Sequence, residues 1–93
     1  MMQKNGKGEA WWIRFQELLD DQTEWPSPYL FKFIVPTSNV DEMKALFDDH
    51  PVKTRPSKAG NYTSVTALLE MQSSDEVIAV YAAAAEVDGV ISL

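Results

Sequence analysis

The chain contains no cysteine and one histidine, His50. Without cysteine there are no disulfides, thiolate zinc sites, iron–sulfur clusters or cysteine nucleophiles. With one imidazole, His50 has no second His or Cys to share a metal and reads as a solvent-facing helix-end residue. The acid pairs Asp20-Asp21 and Asp48-Asp49 do not replace such a site, because adjacent helical residues point about 100° apart. Long hydrophobic runs are also missing. The longest uncharged stretch, residues 59–69, includes Asn, Tyr, Thr and Ser, whereas a membrane-spanning helix needs about 20 apolar residues. Only four glycines are present, with no phosphate-cradling run and no Ser/His/Asp spacing. These absences read as a non-enzyme with no cofactor and no metal. Basic residues are scarce, and none follows Lys58.

What is present is ordinary globular material: 93 residues, 45% hydrophobic and 24% charged, enough for one domain. Fourteen acids against eight bases give a net charge of −6, which argues against nucleic acid and anionic membrane as partners. The composition is uneven. Between Pro51 and Thr63 the chain carries Lys53, Arg55 and Lys58 and no acid. With no signal-peptide pattern and no cysteine, the chain reads as cytoplasmic.

Three segments follow from the pattern. Residues 1–8 read as a flexible tail. Residues 9–24 form an N-terminal amphipathic helix, in which Trp11, Trp12, Phe15, Leu18, Leu19 and Gln22 make one stripe at period 3.6. Such a helix covers part of the sheet, packs at its side or meets another chain. Residues 25–93 form the domain proper. Trp25-Pro26-Ser27-Pro28 excludes helix. Residues 29–35 alternate as a strand with Tyr29, Phe31, Phe33 and Val35 on one face and Leu30, Lys32 and Ile34 on the other, and Pro36 stops it. Asn39 and Glu42 have capping-box spacing before a helix with Val40, Met43, Leu46 and Phe47 inward. Asp48 and Asp49 at its end oppose the helix dipole. Residues 52–56 form a basic edge strand, since Pro56 cannot donate to a central ladder. Residues 62–71 form the longest strand, with Thr63, Val65, Ala67, Leu69 and Met71 inward. Ser73 and Glu76 make a second capping box for a helix running to about Val87 through Val77, Val80, Tyr81 and Ala84. Asp88-Gly89 ends it, and residues 90–93 form a last strand.

The resulting β-α-β-β-α-β order predicts an α+β fold, the ferredoxin-like sandwich: a four-stranded antiparallel sheet in order 4-1-3-2 with two helices on one face. The extra N-terminal helix precedes it.

The segment Ser57-Lys58-Ala59-Gly60-Asn61-Tyr62-Thr63-Ser64-Val65-Thr66 resembles the signature of the YbeD-like family of small bacterial domains of unknown function. Trp25-Pro26-Ser27-Pro28-Tyr29-Leu30-Phe31-Lys32-Phe33-Ile34 is similar to that family's opening. The short C-terminal strand matches too, so the resemblance covers about residues 25–93. It implies a ferredoxin-like fold similar in shape to the ACT domains, which bind amino acids and regulate enzymes, and it brings no catalytic residues. The chain departs from the family at Pro36-Thr37, where many relatives have a glycine, and in its long aromatic first helix.

Function therefore reads as a non-catalytic regulatory or protein-interaction module, ACT-like, whose partner is another protein or a second copy of the chain, or a small anion. The candidate anion or partner site is the basic hairpin: Lys53, Arg55 and Lys58, with Gly60 and Asn61 offering free backbone N–H groups and Tyr62 beside them. Two alternatives stand beside this reading. One is a nucleic-acid module using the sheet face, for which Ser64 and Thr66 occupy positions where stacking aromatics belong. The other is an enzyme with an unrecognised site.

Overall fold

The computed structural model describes residues 8–48 and 50–92. The tail expected over residues 1–8 is described only at Gly8, and Asp49 and Leu93 lie outside the described residues. The architecture is α+β, with a four-stranded antiparallel open sheet and three helices. In chain order these are α1 (Glu9–Gln22), β1 (Ser27–Pro36), a 3-10 turn (Thr37–Asn39), α2 (Val40–Ala45), β2 (Lys53–Pro56), β3 (Tyr62–Met71), α3 (Ser74–Ala84) and β4 (Ile91–Ser92).

The strands lie in the order β2-β3-β1-β4. The two long strands, β1 and β3, pair along their whole length, from Ser27 opposite Met71 to Pro36 opposite Tyr62. Both edge strands are short. Pro56 therefore sits where its missing N–H costs no ladder bond. Strand β1 starts two residues earlier than alternation alone placed it. Pro28 is tolerated there because β4 pairs only with Phe33 and Ile34, leaving that side of β1 open.

Alternation divides the sheet as the sequence implied. Phe31, Phe33, Val35, Val65, Ala67, Leu69 and Met71 are buried and share one core with Met43, Phe47, Val77, Ala84 and Val87. At about 1.5–3 kcal/mol per fully buried large apolar side chain, this layer carries most of the hydrophobic stabilisation. Tyr81 joins it with its ring 5.5 Å from that of Phe31 and 5.6 Å from that of Phe33.

Helix α1 packs on α3, on the helical side of the sheet. Gln16 donates from Nε2 to Ser74 Oγ at 3.1 Å and to Asp75 Oδ1 at 2.6 Å. Phe15 meets Tyr81 edge-on at 5.3 Å. The inward stripe is rotated from the one expected: Leu19 is buried and Trp12, Phe15 and Gln16 are half-buried, while Trp11 (44% exposed), Leu18 (53% exposed) and Gln22 face outward. The reason is geometric. The apolar residues span more arc than one neighbour covers, and the approach of α3 selects the 12-15-16-19 line.

Two helix starts differ. Ser73 caps α3 as expected, accepting from the Glu76 N–H at 3.3 Å, and the Glu76 carboxylate accepts from the Gln72 N–H at 2.7 Å. Asn39 does not cap α2. The preceding 3-10 turn already engages the Val40 N–H with the Thr37 carbonyl, and the Asn39 side chain instead donates to the Asp88 carbonyl at 2.9 Å. Helix α2 ends at Ala45, before the acids that would oppose its dipole, and Asp48 adopts φ 50°, a left-handed conformation that Asp tolerates. Helix α3 ends at Ala84 and passes into turns through Val87, short of the expected end.

Candidate functional site

The sheet face away from the helices carries Leu30, Lys32, Ile34, Tyr62, Ser64, Thr66, Leu68 and, at its far end, Glu70. Leu30 is 58% and Leu68 66% exposed. Strand register sorts these side chains into rows. In the first, Leu30 stands opposite Leu68. In the second, Lys32 and Lys53 stand on opposite sides of Thr66. In the third, Arg55, Ser64, Ile34 and Ile91 lie side by side. Successive rows are about 6.6–6.8 Å apart, two residues of strand rise.

Three shallow hollows lie over these rows. Lys32, Lys53 and Arg55 line one with Thr54, Ser64 and Thr66. Arg55 and Lys58 line the next with Tyr62, Ile34 and Pro56 among its walls. Leu30, Leu68, Pro51 and Val52 form an apolar one that Lys53 borders. No residue lining any of the three is acidic. Four of the eight Lys and Arg residues thus stand on one surface, with Glu70 one row beyond Leu30 and Leu68, leaving thirteen acids against four bases over the rest of the chain.

The structure therefore places Lys53, Arg55, Lys58 and Tyr62 along one continuous surface. It adds Lys32, which alternation put on this face but which sequence distance separated from the basic hairpin; only the pairing of β1 with β3 brings it beside Thr66.

Gly60 serves a different purpose from the one expected. The hairpin turn is tied by its own bonds: Gly60 N–H donates to the Ser57 carbonyl at 2.9 Å, Ser57 N–H to the Tyr62 carbonyl at 2.7 Å, and Tyr62 N–H to Ser57 Oγ at 3.3 Å. Thr37 then ties the turn to the end of β1, donating from its N–H to the Asn61 carbonyl at 2.9 Å and from Oγ1 to the Gly60 carbonyl at 2.8 Å. The Gly60 N–H is consumed and offers nothing to an anion. The part Gly60 plays is conformational, at φ 82°.

Among the described residues, no group of three or more His, Cys, Asp or Glu could hold a metal ion, and no helix is long and apolar enough to cross a membrane. A shifted titratable group lies on the helical side. Burial, then the hydrogen bond and charge of Tyr29, push the Tyr81 hydroxyl above the ordinary phenol range.

An α+β domain with one helical face and one open, cationic face is the class that this geometry defines. Residues 20–93 match the family model described as a protein of unknown function, DUF493. The chain belongs to that family, which contains the YbeD-like proteins. The match begins five residues before the segment that the motifs marked. No curated protein and no solved structure is detectably similar to the chain.

Proposed function

We propose that the chain is a non-catalytic protein-interaction module, regulatory in role and ferredoxin-like, with the shape of an ACT domain, and that its open sheet face engages the partner. One observation carries this reading: an acidic chain concentrates Lys32, Lys53, Arg55 and Lys58 beside exposed Leu30 and Leu68, and no carboxylate lines the hollows between them. An apolar patch rimmed by one sign of charge is the composition of a recognition surface. The adjacency of β1 with β3 and β4, and of β2 with β3, supports the ferredoxin-like comparison.

The partner is a protein. The hollows are shallow and spread over three rows, unlike the concave sites that enclose small molecules. Pro36, packed against Gly89, and Thr37, committed to the hairpin turn, leave the turn after β1 a poor place for an amino acid. Nucleic acid fits less well, since Ser64 and Thr66 provide no stacking platform.

The test is co-purification from cells of origin, followed by binding measurements with the recovered partner in purified form. Lys32→Glu/Arg55→Glu should weaken that binding at least about tenfold while the variant melts as the wild type does. A purified partner that binds the reversed variant equally well overturns the proposal.

A further inference from the structure

The open face has a shape as well as a charge. Thr66 and Ser64 form a low floor along β3. Lys32 on one side and Lys53 and Arg55 on the other form flexible walls. The walls stand on strands two apart, about 9.6 Å at ordinary strand spacing. That channel matches a helix, whose diameter with side chains is about 10–12 Å. An extended peptide laid on side chains here would leave its own N–H and C=O groups unpaired, whereas a helix satisfies them internally.

Resting on the reading of this face as a recognition surface, we infer that its occupant is an acidic amphipathic helix of a partner protein lying along β3. Charge complementarity fixes its pattern. An apolar side chain at position i meets Leu30 and Leu68. An acid at i+4 enters between Lys32 and Lys53, and a second acid at i+8 reaches Arg55, with Lys58 beyond. Helix positions i, i+4 and i+8 are spaced by about 6 Å, against about 6.7 Å between rows. The mismatch over two steps is about 1.4 Å, within the reach of Lys and Arg side chains. Arg55 makes the bidentate carboxylate contact and the lysines act as point charges. The helix would supply the layer that the sheet lacks on this side.

The experiment is an amide-shift titration of the isotope-labelled chain with a synthetic helical peptide carrying Leu at i and Glu at i+4 and i+8. Controls are a peptide of the same composition with its glutamates on the opposite face, citrate, and a single-stranded RNA oligonucleotide. The expected footprint is Leu30, Lys32, Lys53, Arg55, Thr66 and Leu68. Binding should weaken with added salt, and by about tenfold or more in both Lys53→Glu and Leu68→Asp. Shifts confined to α1 and α3, equal binding of the permuted peptide, or tighter binding of citrate or RNA at this face would overturn the inference. So would no binding at all. If the peptide fails while a purified natural partner still requires Lys32 and Arg55, the helical occupant is wrong and the recognition surface stands. If that partner ignores both charges, the surface itself is wrong.

Discussion

Lys32 and Lys53 stand in register with the same residue, Thr66, one on each side of it. The two like charges share a row of the sheet, on a face whose hollows no acid lines. A chain with net charge −6 has ample carboxylates to neutralise them, yet the acid this face carries, Glu70, stands two rows away from Thr66, beyond Leu30 and Leu68. For folding alone the arrangement is slightly unfavourable, since like charges on one face repel. The proposed recognition role would account for it.

Gly89 controls the entry to the last strand. It has φ 78°, and a Cβ there would lie 2.7 Å from Pro36 Cγ. Gly60 has a similar φ of 82° with open space around it. Gly60→Ala should therefore cost only the left-handed strain of about 1–2 kcal/mol. Gly89→Ala should cost more, and Pro36→Ala should recover part of the excess. Urea denaturation of Gly60→Ala, Gly89→Ala and the Gly89→Ala/Pro36→Ala double variant measures this.

The two helix starts make opposite predictions. Ser73→Ala should cost about 0.5–2 kcal/mol through loss of the cap. Asn39→Asp keeps a good capping residue but cannot donate to the Asp88 carbonyl, so it should destabilise as much as Asn39→Ala. An Asn39→Asp variant as stable as the wild type would show that Asn39 acts as a cap after all. The same denaturation series gives the answer.

On α1 the test separates neighbours. Leu19 is buried and Leu18 is exposed. Leu19→Ala should cost about 2–5 kcal/mol, and Leu18→Ala should fall within about 0.5 kcal/mol of wild type. Equal losses would mean that the helix buries a different line.

Tyr81 gives the fold an alkaline limit. Its hydroxyl lies 3.2 Å from that of Tyr29, and burial raises its pKa above the ordinary 10.0. In the unfolded chain it ionises near 10, while in the folded chain it stays protonated. Above about pH 10 the unfolded state therefore binds fewer protons, and stability present below that pH is lost as pH rises. Tyr81→Phe should show a shallower decline on the alkaline side than the wild type, measured by denaturation midpoints below and above about pH 10. Parallel declines would contradict this.

Strand faces were legible in the sequence because ten-residue strands repeat their alternation often enough to fix it. Thr63 to Met71 alternate inward and outward as read. The Ser73 cap was legible because a capping box is local. The α1 stripe was not, because the angle at which α3 approaches is a tertiary property. Nor was the behaviour of Asn39, since a 3-10 turn that flows into a helix removes the donors a cap would satisfy. The candidate site was half legible. The basic hairpin is contiguous in sequence, but Lys32 joins it only through the β1–β3 register. The Gly60 N–H, which composition presented as free, is bonded within its own turn.

The most direct test pairs two readings on one variant, Lys32→Glu/Arg55→Glu: its thermal midpoint alone, and its affinity for the Leu/Glu helical peptide. The account predicts a midpoint equal to or above that of the wild type, because the charge cluster does nothing for folding, together with a loss of affinity of about tenfold or more. A lowered midpoint with unchanged affinity would make these cations part of the fold's own stabilisation and would contradict the account.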